Sequence, residues 1–165
     1  MKKVLVLTAH PDDLELACGG TVARFVDEGV EVTNLIVCSN VPHKKHVLDS
    51  AKVLGFNPLY LEHRDESITR EVVAEIEALI NISSYDLLIT HWKEDWHQDH
   101  RFCHDLGNSL RRKQPLNVWY MNAYPYCQKY TSFEANVFVD ITKYIEQKKN
   151  SILCYKNVPT KWAKD

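Results

Sequence analysis

The chain has 165 residues, enough for one compact domain spanning 1–165. Hydrophobic residues make up 45% and charged residues 25%, the balance of a soluble globular protein. The formal net charge of −2 supplies no field for nucleic acid or an anionic membrane, so neither is expected as a partner. Five cysteines at irregular spacings, with no C-x-x-C, fit a reducing compartment better than a disulfide framework. The apolar stretch after Lys3 stops at Thr8, too short for a signal-peptide core, and no apolar run approaches a membrane span. A cytoplasmic location is the expectation.

Apolar runs alternate with helical patterns along the chain, which argues for α/β with a largely parallel sheet. Residues 4–7 read as a buried strand. Residues 16–28 read as a helix with Val22, Phe25 and Val26 on one face and Gly29 as its stop. A strand over 31–38, a helix over 44–54 closed by Gly55, and a short strand over 58–61 follow. Residues 68–82 form an amphipathic pattern, apolar at Val72, Val73, Ile76, Leu79 and Ile80. The remaining elements are a buried strand over 86–90, a helix over 99–112, strands over 117–121 and 136–140, and a closing helix over 142–155. The predicted fold is a Rossmann-like three-layer sandwich with a mostly parallel sheet, its site expected at the carboxyl ends of the strands. In the common order 3-2-1-4-5 the ligand crevice lies between strands 1 and 4.

Those two strands end in polar clusters. The first reads Ala9-His10-Pro11-Asp12-Asp13-Leu14-Glu15. Carboxylates are rarely buried without a partner, and a divalent cation is the natural one for imidazole and carboxylate together. His10 and Asp13 are spaced to converge on one ion from a tight turn, which leaves Asp12 to act on a bound water. The plainer alternative is that Asp12 or Asp13 caps the following helix. Gly19 and Gly20 do not complete G-x-G-x-x-G and read as packing glycines, while Cys18 reads as a small core residue.

The second cluster holds four of the eight histidines, between His91 and His104. In His97-Gln98-Asp99-His100, two imidazoles flank a carboxylate, which suits a metal ligand beside an acid–base residue oriented by Asp99. The pair His100 and His104 has metalloprotease spacing, but Arg101 stands where that motif has its glutamate, so His104 reads as a helix-face residue. His91 ends a strand and could line the pocket, against a backbone-satisfied histidine as the plainer role. Trp92, Trp96, Tyr120, Tyr124 and Tyr126 offer aromatic faces for a sugar ring, against interior packing as the plainer role.

Ala9-His10-Pro11-Asp12-Asp13, Cys18-Gly19-Gly20-Thr21 and His97-x-Asp99-His100, in this order, resemble the LmbE / PIG-L family of N-deacetylases, with the likeness running from Lys2 to about Ile141. The resemblance implies His10, Asp13 and His100 as metal ligands and Asp12 as general base. It implies His97 as oxyanion stabiliser and acid, with Asp99 as its partner. It further implies Zn2+ (Fe2+ or Co2+ in some such sites), a small-molecule N-acetyl sugar conjugate as substrate, and a homo-oligomer as in relatives. The chain departs from the family pattern at His43-Lys44-Lys45-His46, where members commonly carry an Arg and a Glu. The rival readings are a metal-dependent hydrolase of another amide or ester and a non-catalytic sugar- or nucleotide-binding module.

Overall fold

The computed structural model describes residues 1–38, 44–61, 63, 70–123, 133–156 and 158–159. Among them, five strands form one parallel sheet: β1 (Lys3–Thr8), β2 (Glu31–Ile36), β3 (Asn57–Tyr60), β4 (Leu87–His91) and β5 (Asn117–Met121). Their order is β3-β2-β1-β4-β5. Five α-helices accompany them: α1 (Asp13–Asp27), α2 (Lys44–Leu54), α3 (Arg70–Leu79), α4 (Gln98–Leu110) and α5 (Ile145–Ile152).

The central strand shows why the sheet is covered on both faces. Val4, Leu5, Val6 and Leu7 are all buried, and because side chains alternate across a strand they feed two different cores. Val4 and Val6 pack with Leu14, Val22 and Phe25 of α1, Val47 and Leu54 of α2, and Ile152 of α5. Leu5 and Leu7 pack with Val72 and Ile76 of α3 and with Phe102, Cys103 and Leu106 of α4. The helices that follow β1 and β4 therefore leave on opposite faces of the sheet. That divergence opens a crevice at the carboxyl ends of these two neighbouring strands.

Several boundaries differ from expectation, and three of the differences matter to the site. Helix α1 starts at Asp13, three residues earlier than the apolar periodicity indicated, which puts Asp13 and Glu15 in its first turn. Strand β4 runs one residue further than expected and so includes His91. The strand expected over residues 136–140 does not form: residues 133–141 carry no regular secondary structure. Residues 136–140 place three apolar side chains in a row, and Phe138 is 83% exposed, so burial on a sheet face does not hold them as a strand. The closing helix is also shorter, a 3-10 turn at Thr142–Tyr144 followed by α5, with 153–154 in a turn. The expected start of α3 at 68–69 lies outside the described residues.

Two glycines are required by position. Gly55 ends α2 at φ +82°, where a side chain is strained. A Cβ on Gly20 would lie 2.6 Å from Ile141 Cδ1, so this glycine seats the segment leading into α5 and not a strand. No helix among the described residues is long and apolar enough to cross a membrane.

Candidate metal centre

After β1 the chain turns sharply into α1. The turn is made at Asp12, which has φ 97°, a left-handed conformation that non-glycine residues adopt at a cost of order 1 kcal/mol or more. The side chain of Asp12 makes no capping hydrogen bond, so this strain is not offset by a helix cap. Asp13 turns back instead, and its Oδ2 accepts the His10 backbone N–H at 2.7 Å.

Asp13 is the centre of a buried floor. Its Oδ1 lies 3.3 Å from His100 Nε2 and its Oδ2 lies 3.3 Å from His91 Nε2. The two imidazoles are stacked, with centroids 3.9 Å apart and planes inclined by 19°. His91 Nε2 also accepts the Ala9 backbone N–H at 3.2 Å, continuing the β1–β4 junction through a side chain. Behind His100, Asp95 Oδ2 contacts Nδ1 at 2.8 Å. All four side chains are buried.

The mouth of the site is more open. His10 and His97 sit edge to face at 4.6 Å, and His97 lies 4.9 Å from His100. His97 opens α4 as its cap, its Nδ1 accepting the Asp99 N–H at 3.2 Å. Asp99 was expected to serve His97. Its Oδ2 is instead 2.8 Å from His10 Nε2 and 3.7 Å from His97 Nδ1, because the first turn of α4 swings this carboxylate toward the β1 turn.

Among the described residues, two sets of three donors converge within 4.8 Å: His10, His97 and His100 at the mouth, and Asp13, His91 and His100 on the floor. The sequence-derived set of His10, Asp13 and His100 draws from both and shares His100 with each. Imidazole nitrogens and a carboxylate are suitable donors for zinc and similar divalent ions.

The electrostatics carry the same message. Burial and the neighbouring carboxylates of Asp13 and Glu15 push Asp12 up to about 8. Burial alone would raise Asp13, but His100 and His91 hold it well below the usual carboxylate range. Burial alone would lower His100, but Asp13 and Asp95 push it up to about 10. Without a metal, a proton on His100 thus supplies positive charge among these carboxylates, and the donor set fits a divalent cation in that role. Burial also lowers His91 and His97.

The other sequence candidates have structural partners. His104 Nδ1 donates to the His91 carbonyl at 3.0 Å, and its ring packs on Tyr120. Burial pushes the Cys18 thiol up to about 12, so it is a core residue and not a nucleophile. Trp92 packs edge to face on Phe133. These rings and Cys18, Thr21, Trp119 and Asn122 line a groove of about 810 Å3 beside β4 and β5. Tyr124, Tyr126 and His43 lie outside the described residues.

The local sequence pattern gives Asp95 no role of its own and marks His91 only as a strand-end histidine. Asp95 stands two residues before His97 and four before Asp99, a spacing that was legible. The His91 contacts depend on β4 running beside β1 and left no local signal.

Residues 5–110 match the family model PIG-L, GlcNAc-PI de-N-acetylase. The chain belongs to the PIG-L family, whose relatives include named deacetylases. A probable N-acetyl-alpha-D-glucosaminyl L-malate deacetylase 2 of Bacillus cereus is 32% identical over 123 residues, covering 60% of this chain and 56% of that protein. The chain spans about half the length of the curated relatives it matches. The N,N'-diacetylchitobiose deacetylase of Pyrococcus horikoshii superposes with TM-score 0.75 at 21% identity, covering 99% of this chain and 73% of that one. The 4-carboxy-2-hydroxymuconate hydratase GalB of Pseudomonas putida superposes with TM-score 0.81 at 16% identity, covering 98% and 82%. These superpositions establish the shared fold, which hosts more than one named activity.

Proposed function

We propose that the chain is a metal-dependent N-deacetylase that removes acetyl from an N-acetylglucosamine-type small molecule. The observation that carries this reading is the convergence of Asp13 and His100 on the buried floor with His10, Asp12, His97 and Asp99 around them, in a chain of the PIG-L family. His10, Asp13 and His100 would hold the metal, with zinc the expected ion and iron or cobalt as substitutes. A divalent metal there supplies Lewis acidity, which polarises the acyl carbonyl and acidifies water.

The chain's own residues do the rest. Asp12 takes the proton from the attacking water. Its pKa of about 8 is that of the chain without metal, and a cation held by His10, Asp13 and His100 would lower it into the range of a working base. His97, half-exposed at the mouth, steadies the tetrahedral oxyanion and gives a proton to the leaving amine. Asp99 lies within reach of both mouth imidazoles and orients them. Hydrolysis of the amide bond yields acetate and a free amine: Asp12 takes one proton from the water, His97 gives one to the departing nitrogen, and exchange with solvent returns both groups to their starting protonation.

A panel of N-acetylglucosamine conjugates assayed for free amine and acetate with zinc present tests the reading. Release of both in equal amounts is expected. Tight zinc binding with no amine released from any member would return the chain to the class of binding modules. Release of alcohol or phosphate from ester substrates alone would make it a hydrolase of another bond.

A further inference from the structure

Asp95 belongs to none of the roles assigned above, yet it is among the most constrained side chains in the loop between β4 and α4. It is 2% exposed, in a stretch whose neighbours Lys93, Glu94 and Trp96 are exposed. An isolated buried carboxylate is costly, so its burial implies partners that need it. Both of its oxygens are engaged: Oδ2 meets His100 Nδ1 at 2.8 Å, and Oδ1 accepts the His97 backbone N–H at 2.9 Å. The backbone beneath it is tied as well. Arg101 donates to the Asp95 carbonyl at 2.6 Å and to the Trp96 carbonyl at 2.7 Å, and the Asp95 N–H reaches the Trp92 carbonyl.

An imidazole has two nitrogens, and the partner of one fixes what the other can do. A carboxylate on Nδ1 keeps the proton there and leaves Nε2 for the metal side, where Asp13 Oδ1 already lies 3.3 Å away. The second oxygen of Asp95 meanwhile fixes the backbone of His97 at the head of α4. One carboxylate therefore sets the ring of a candidate metal ligand and the starting point of the candidate acid.

We propose that Asp95 is a positioning residue of the metal centre, presenting His100 through Nε2 and holding His97 in place beside it. This rests on the metal reading of the site given above.

The test compares zinc affinity, by chelator competition, in the wild-type chain, Asp95→Asn and Asp95→Ala. The asparagine retains one oxygen that accepts the Nδ1 proton, but its amide NH2 is a donor and cannot accept the His97 N–H; the alanine makes neither bond. Affinity is expected to fall about 10- to 100-fold in Asp95→Ala, the range for outer-sphere partners of metal ligands, with much of the loss restored in Asp95→Asn. Wild-type affinity in Asp95→Ala, or equal losses in the two variants, would overturn the proposal. Histidine ring 15N spectra of the wild-type chain make the test independent of how well the variants fold. On zinc addition, His100 is expected to keep its proton on Nδ1 and to give Nε2 to the metal; metal on Nδ1 overturns the assignment. If zinc perturbs no histidine ring, the metal reading itself fails. A protected Nδ1–H on His100 in the metal-free chain still supports the Asp95 contact, and its absence overturns it.

Discussion

Zinc affinity should depend steeply on pH, and the structure indicates by how much. In the metal-free chain His100 lies between Asp13 and Asp95 with its pKa pushed up to about 10. A metal on Nε2 must displace that proton. At pH 7 the gap of about three units leaves on the order of one molecule in a thousand with Nε2 bare, so apparent affinity lies roughly a thousandfold below its alkaline limit. One displaced proton gives about a tenfold gain in affinity per pH unit between pH 6 and 8. Asp12, at about 8, is also protonated over most of that range, and a cation beside it expels its proton as well, steepening the dependence toward a hundredfold per unit. Chelator competition at several pH values gives the slope, and a pH indicator in weak buffer counts protons released per zinc. An affinity that is flat from pH 6 to 8, or zinc binding without proton release, would refute a protonated His100 in the metal-free chain. The sign for folding of the metal-free chain is separate. A raised His100 pKa contributes stability that is complete below the unfolded value near 6.5 and is lost as pH rises toward 10.

Three further outcomes are expected. Asp12→Asn should bind zinc within a few-fold of wild type while turnover falls about 10²- to 10⁴-fold, the range for a lost general base; undiminished turnover would remove Asp12 from that role. Gly20→Ala should lower stability by about 1–3 kcal/mol, since the new methyl meets Ile141 Cδ1 at 2.6 Å, and Ile141→Ala in the same chain should relieve much of the clash, read from urea midpoints. Tyr155→Phe removes the 2.9 Å hydrogen bond to buried Glu15, whose other oxygen already lacks a hydrogen-bond partner, and should cost about 1–3 kcal/mol in the same assay, whereas an unchanged midpoint would show that Ser50 suffices.

Both polar clusters, and the crevice they share, followed from sequence because each depends on short-range pattern. The run from Val4 to Leu7 identified a doubly buried strand, and the alternation with amphipathic stretches such as that containing Val72, Val73 and Ile76 implied crossovers on both faces. Strand order then brought two distant segments together without any coordinates. Boundaries were less secure where polar groups decide them. Helix α1 begins at Asp13 because the turn at Asp12 is made by an unusual backbone conformation, which hydrophobic periodicity does not report.

The sequence by itself determined the elements that carry the site, because apolar spacing and turn residues act within a few positions. Tertiary structure decided which atoms meet. That Asp99 reaches His10 before His97, that His91 stacks on His100, and that Asp95 fixes His100 from behind all depend on where α4 and β4 fall relative to β1. Likewise, residues 136–140 have the pattern of a strand, but a strand also needs a neighbouring edge to accept its hydrogen bonds, and only the assembled sheet determines whether one is offered.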